Sequence, residues 1–249
     1  MAQDASTGAL RGSVADSTGA RIAGAEVTLR QPDTGLERKL TTTATGEFRF
    51  ELLRPGEYQL VVAAENMRAQ RRVGIKVDVG GSSELAIVLV VGLVTDEVTV
   101  EGGTPLVETS PSAVSDVIDL RAIEDLPLNG RRFTDLALLT PGVTTDPRGL
   151  TSSSNGDLSF GGVRGYHTSF LVDGTDNNNG FFAQARGRYR APYQFSNEVV
   201  QEFRVSSNTY GTELGRSGGA VINVVTKSGN NHLRGSLFYY LRDGRTAAR

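Results

Sequence analysis

The residues with chemistry to offer lie mostly in the second half of the chain. Asp173, Asp176 and Asn177 to Asn179 put carboxylates and amides side by side. Such oxygen donors could form a Ca²⁺ loop. An EF-hand loop needs carboxylates at alternate positions, a central Gly and a closing Glu, and this spacing lacks them. A polar turn is the better reading, and no metal site is expected. Arg186-Gly-Arg-Tyr-Arg190 combines guanidinium charge with an aromatic ring, as single-strand nucleic-acid binders do. It is one short cluster in a chain of net charge −2, which exerts no strong pull on polyanions. No nucleic-acid partner is expected. His167 and His232 stand apart, with no acidic or Cys partner at ligand spacing. There is no Gly-x-Ser-x-Gly elbow, and Lys227-Ser228 lacks the glycines of a phosphate loop. No enzyme activity and no cofactor are expected.

The elements that would position these residues follow from composition and pattern. The 249 residues are 38% apolar, with 30 Gly and no Cys. That length suggests one or two domains. Without Cys there is no disulfide framework and no thiolate metal site. The opening Met1-Ala-Gln-Asp-Ala-Ser has no basic or apolar region, so no signal peptide is read there. The run Leu85 to Val94 is too short and too β-branched for a membrane-spanning helix.

Residues 8–91 alternate with a period of two. Leu10, Gly12 and Val14 share a phase, as do Ala25, Val27 and Leu29; Phe48 and Phe50; Tyr58, Leu60 and Val62; Val73, Ile75 and Val77; and Leu85, Ile87 and Leu89. Each set predicts a strand with one face in a core. Gly, Pro and Asp punctuate the runs at 16–19, 31–35, 45–46, 54–56 and 80–81. About seven strands at this spacing predict a two-sheet sandwich. Gly12-Ser-Val-Ala-Asp16, Gly24-Ala-Glu-Val27, Gly46-Glu-Phe-Arg-Phe50 and Leu53-Arg-Pro-Gly-Glu-Tyr58 resemble the carboxypeptidase regulatory-like domain. That resemblance implies a prealbumin/Ig-like sandwich of the carbohydrate-binding-like fold. One departure is Glu65-Asn-Met67, where the family usually carries Gly-Phe.

Residues 92–117 read as a linker. Inside it, Asp96, Glu97, Val98, Thr99 and Val100 form a β-prone pentad ahead of Gly102-Gly103. The alternative is an added sandwich strand. Residues 118–227 read as α+β. Asp119 is a plausible N-cap for Leu120, Ile123 and Leu126, stopped by Pro127. Phe133, Leu136, Ala137 and Leu139 would face a second short helix inward, before Pro141-Gly142. Strands are predicted at 158–163, 169–172, 199–205 and 220–226. Residues 228–249 begin with a turn. From His232 to Arg242, Leu233, Gly235, Leu237, Tyr239 and Leu241 then alternate with Arg234, Ser236, Phe238 and Tyr240, as in a barrel strand.

Leu126 to Val143, Leu171-Val-Asp-Gly174, Gln201-Glu-Phe203, Glu213-Leu-Gly-Arg216 and Asn223-Val-Val-Thr-Lys-Ser-Gly229 occur in this order. Together they resemble the plug domain of Oar-like TonB-dependent outer-membrane receptors. The resemblance implies a bacterial outer-membrane receptor or transporter whose N-terminal part is periplasmic. It makes 96–100 a TonB box that adds a strand to the TonB periplasmic domain. It implies a plug at 118–227, gating substrate uptake when pulled, and a β-barrel that starts at 228–249. Closed barrels need about 8 strands or more, so the enclosing barrel is expected to be missing from this chain. Arg131, Asp173, Arg186, Arg188 and Arg190 become candidates for contact with the barrel wall or an unknown substrate, a carbohydrate among the options. The rival expectation is an extracytoplasmic carbohydrate-binding or adhesion module. An accessory piece of a zinc peptidase is a third, disfavoured by the absence of clustered ligands.

Overall fold

The computed structural model describes residues 6–92, 98–101, 107–108, 114–118, 123, 133–145, 158–163, 167–178, 196–208, 217–233, 235 and 237. It is mainly β. The first seven strands are β1 (Gly8–Asp16), β2 (Glu26–Arg30), β3 (Glu37–Thr41), β4 (Glu47–Leu53), β5 (Gly56–Ala63), β6 (Gln70–Val77) and β7 (Ser82–Leu89). They form the predicted sandwich. One sheet runs β4-β1-β7 and the other β3-β2-β5-β6. β1 lies parallel to β7, from Ala9↔Ser82 to Asp16↔Leu89, so the first and last strands close the domain.

The alternating residues make the core. Leu10, Val14, Val27, Leu29, Phe48, Phe50, Tyr58, Leu60, Val62, Ile75, Val77, Leu85, Ile87 and Leu89 are all buried in one cluster. Phe48 and Phe50 meet edge to face, with centroids 6.2 Å apart. Gly12 takes the inward phase because nothing larger fits: a Cβ there would lie 2.4 Å from the Phe48 ring. The other phase of β7 faces out, which leaves Val88 exposed. The apolar run noted above is therefore a two-faced strand.

Two local departures from simple alternation have backbone causes. Tyr58 pairs with Ile75 but Leu60 pairs with Arg72, so Gln59 faces both Val73 and Gly74. Gly74 sits at φ +70°, the left-handed conformation of a glycine bulge. The extra residue turns Val73 partly outward. In the loop that departs from the family, Asn66 takes φ +59°, a conformation that Asn tolerates better than most residues. Met67 packs against the core.

β3 was not foreseen. Its sequence, Glu-Arg-Lys-Leu-Thr, is almost wholly exposed. Lys39 bridges Glu26 at 3.6 Å and Glu37 at 3.4 Å. A charged strand at a sheet edge resists pairing with other chains, so its sequence reflects that role and not core alternation.

The linker contributes two further strands. β8 (Val98–Glu101) pairs in parallel with β6, and β9 (Val107–Glu108) pairs antiparallel with β7. The second region is built on a sheet ordered β10-β15-β16-β13-β14. Its strands are β10 (Val114–Ile118), β13 (Ser169–Val172), β14 (Thr175–Asp176), β15 (Val200–Asn208) and β16 (Val221–Thr226). β11 (Val143–Thr145) and β12 (Leu158–Phe160) form a separate hairpin-like pair. β10 overlaps the last residues of the segment read as linker, 92–117, and pairs with β15 as an edge strand.

The expected helices are scarcely present among the described residues. Ile123 is helical and buried, while the rest of that helix lies outside the described residues. The second is a 3-10 segment, Phe133–Leu139. Leu136 and Ala137 are buried there as predicted, but Leu139 is 55% exposed. A 3-10 turn stacks residues three apart, so Leu139 shares the face of Leu136, and its exposure goes with its place as the last residue of the segment. No described helix is long and apolar enough to cross a membrane, which leaves β-barrel strands untouched. Leu233 and Leu237, two positions of the barrel-type alternation, are fully exposed.

Candidate functional site

The candidate site is the boundary where the linker and the second sheet meet the sandwich. Four linker residues pair with β6 in the register Gln70↔Val98, Arg71↔Thr99, Arg72↔Val100 and Val73↔Glu101. This pairing ends where the Gly74 bulge bends β6 and Gly102-Gly103 follows β8. β9 then pairs with Glu84 and Ser83. The linker therefore runs from the edge of one sheet to the edge of the other. It covers two backbone edges that would otherwise be free to pair with other chains. Val98, Thr99 and Val100 of the predicted pentad lie in β8; Asp96 and Glu97 lie outside the described residues.

A second contact clamps the sandwich to the sheet. β15 has two unlike faces. Phe203 and Val205 pair with Val224 and Ile222 in the region's own apolar core. Glu202, Arg204 and Ser206 occupy the opposite phase and are nevertheless buried. The loop after β6 explains how. Glu202 Oε1 accepts the Val79 N–H, and Arg204 Nη1 donates to the Val79 carbonyl at 2.9 Å. Both backbone groups of one fully buried residue are thus satisfied by charged side chains more than 120 positions away. Charge-assisted bonds of this kind are short and directional. Arg204 also lies against Gly80, where a Cβ would meet Nη1 at 3.2 Å. A smaller contact joins Asn231 to the β2–β3 turn, through Thr34 O at 3.2 Å and Asp33 O at 3.2 Å.

Nothing in the sequence marked Glu202 and Arg204 as an interface. The signal was their shared phase: two charges alternating with Phe203 and Val205 describe a strand with one polar face. The pattern could not show that this face would be covered.

Asp173 is the one wall-or-substrate candidate among the described residues; Arg131, Arg186, Arg188 and Arg190 lie outside them. It begins the Asp173-Gly174 turn between β13 and β14, with φ of +49° and +76°. Positive φ at both positions is the type I′ hairpin turn, for which Asp-Gly is a preferred pair. Its carboxylate accepts from Thr226 twice, at N (2.9 Å) and at Oγ1 (2.8 Å). Asp176 Oδ1 accepts the Asn178 N–H at 2.9 Å, and Asn178 Oδ1 accepts the Phe170 N–H at 2.8 Å. The polar turn read at 173–179 thus spends these oxygens on its own backbone and on β16. Among the described residues no three His, Cys, Asp or Glu side chains converge as a metal site.

The profile of the carboxypeptidase regulatory-like domain matches residues 9–90. Over 220 residues, 85% of this chain, the sequence is 29% identical to the TonB-dependent transporter Oar of Myxococcus xanthus. The chain is Oar-like. It carries a regulatory-like sandwich at residues 9–90 and is similar in sequence to a TonB-dependent transporter over most of its length. It spans about a fifth (19%) of the length of that relative. Solved structures overlap about a third of the chain. The Bacillus anthracis TIE protein does so at 16% identity and TM-score 0.30, covering 34% of this chain and 17% of that one. The group B streptococcus pilus 2b backbone protein gives 20%, 0.28, 34% and 42%. The dioxygenase domain of a dioxygenase carbohydrate-binding protein fusion from Streptomyces sp. SirexAA-E gives 14%, 0.29, 37% and 86%. Scores this low add nothing to the sandwich already described.

Proposed function

We propose that this Oar-like chain supplies the periplasmic sandwich, the TonB-binding strand and the plug of an outer-membrane transporter. The segment Asp96 to Val100 hands its backbone to the TonB periplasmic domain by strand addition. The region after β10 then gates a substrate path inside a β-barrel. Arg131, Asp173, Arg186, Arg188 and Arg190 face the barrel wall or the substrate. The outer membrane is the site of action. The fully exposed Leu233 and Leu237 would face lipid in the first barrel strand.

The observation that carries this reading is the similarity to a TonB-dependent transporter across both the sandwich and the region after it. The reading is supported by a short edge strand, Val98–Glu101, between glycine-bearing segments. The rival, a sugar-binding sandwich, lacks stacking surfaces. The aromatic residues of residues 8–91 are Phe48, Phe50 and Tyr58, and all three are buried.

A peptide of residues 93–101 should bind the TonB C-terminal domain in a calorimetric titration. Val98→Pro should abolish that binding by removing a ladder N–H. Unchanged affinity of the proline peptide counts against strand addition. Saturable heat on titrating sugars into residues 1–91 would favour the rival.

A further inference from the structure

We propose that the outer edge of β6 is a resting dock for the TonB-binding strand, so that TonB must displace the sandwich to engage it. This rests on the reading of residues 96–100 as that strand. The dock is visible in the register: Val98 to Glu101 lie alongside Gln70 to Val73 in a parallel ladder. The sandwich supplies the edge, and the segment supplies the strand. Both are the ingredients of strand addition, here joined within one chain.

Three features fit a reversible dock and not a permanent eighth strand. The ladder is four residues long, short against the usual five to six or so of a strand. The Gly74 bulge stops it from growing at one end. Gly102-Gly103 follows directly, which frees the chain beyond from any demand of the ladder. The neighbouring β9 covers β7 in the same way with only two residues, so a released segment has a second short tether and not a long one.

Docking and TonB binding compete because they use the same backbone. Within a strand, successive residues point their N–H and C=O groups to opposite sides. While β8 lies on β6, half of its groups are engaged. The outward half, over four residues, is too short a ladder to rival what the free segment can offer. TonB therefore gains most by taking the strand away. A ladder of a few hydrogen bonds, each contributing modestly in water, should weaken TonB binding to the intact chain on the order of tenfold or more relative to the free peptide.

The chain has no Cys, so an introduced pair is unambiguous. Arg71 and Thr99 are Cα partners. Arg71→Cys with Thr99→Cys should form a disulfide on mild oxidation. The oxidised chain should lose TonB binding by tenfold or more relative to its reduced form, and reductant should restore it. Failure to cross-link overturns the dock, and an oxidised chain that binds as tightly as the reduced one overturns displacement. In the unmodified chain, TonB should accelerate hydrogen exchange at amides of Gln70–Val73 that β8 protects. Unaltered exchange while TonB is bound overturns displacement without any substitution. The 93–101 peptide separates the two ideas. If it fails to bind TonB while the disulfide forms, the TonB reading falls and the competition with it. If it binds, and the oxidised chain binds equally well, the TonB reading stands and the displacement falls.

Discussion

The sandwich and the second sheet bury their residues by different rules. In the sandwich, every strand but the charged edge strand β3 sends an apolar phase inward and the other phase towards water, and two sheets complete one another. β2 and β4 alternate buried with exposed or part-exposed residues almost throughout. In the second region, β15 and β16 are buried on both phases. One phase is apolar and packs at home; the other carries Glu202, Arg204 and Asn223. A domain of the first kind is complete by itself. A sheet of the second kind needs another surface, and the loop at Val79 provides part of it.

That contrast is broken most forcefully in the sandwich core. Phe50 is 1% exposed and touches the Phe48 ring edge. Phe50→Ala should destabilise the sandwich by about 3–5 kcal/mol, the cost of an aromatic-sized cavity. Urea unfolding followed by hydrogen exchange should show the loss across β1 to β7. A loss below about 1 kcal/mol would mean that the core is not close-packed around this ring.

The clamp should respond differently. Arg204→Ala removes the donor to Val79 O and leaves a buried carbonyl without it, a cost of about 1–3 kcal/mol. Exchange should quicken at residues 78–81 and along β15, while β2 and β5 stay protected. If β2 and β5 loosen equally, the two regions form a single cooperative unit and the contrast drawn above is wrong. Replacing Glu202 and Arg204 together with apolar residues of similar volume should cost more than either single change, because the N–H and the C=O of buried Val79 then both lose their partners.

How much was legible follows from the same contrast. The core phases of the sandwich were readable because water selects them strand by strand: Leu10, Val27, Phe48, Tyr58, Ile75 and Leu85 all fell inward. β3 was not readable, since an edge strand of Glu, Arg and Lys is selected for solubility. Val79 lay outside every predicted strand and proved fully buried, because what satisfies its backbone comes from β15. β10 hid in a stretch rich in Ser, Thr and Pro, where edge pairing needs no apolar phase. The site was legible in part. Val98 to Val100 of the pentad were legible as a strand, but their pairing with β6 is a tertiary fact that no local pattern encodes.

Asp173 offers a finer test within the second region. Its two bonds to Thr226 fasten the end of β16 to the β13–β14 turn. The group is exposed, so Asp173→Asn should cost about 1 kcal/mol or less, while exchange at Thr226 quickens. Asp173→Ala should cost more, because Ala disfavours the positive φ that Asp tolerates. If both substitutions leave Thr226 protected, the carboxylate is free for a partner outside this sheet.

The smallest effects are those of pH, and among the described residues the groups that carry them lie in the sandwich. Burial raises the Tyr58 hydroxyl above its ordinary range, with Arg38 and Arg54 opposing; the hydroxyl donates to Arg54 O at 2.8 Å. A raised folded value means full stability below the unfolded value of about 10, lost as pH climbs through the folded one. Asp16 has the opposite sign. The Thr18 hydroxyl, then the Ala20 amide, hold its carboxyl below the usual range; the bonds are 2.6 and 2.9 Å. A lowered folded value gives a contribution present above about pH 4 and lost as the carboxylate protonates. Asp16→Ala should therefore lower Tm at pH 7, and the gap from the native chain should close towards pH 2. The turn is fully exposed, so the gap should be the smallest of those predicted. A gap that persists unchanged at pH 2 would show that Asp16 holds the turn by its shape and not by its charge.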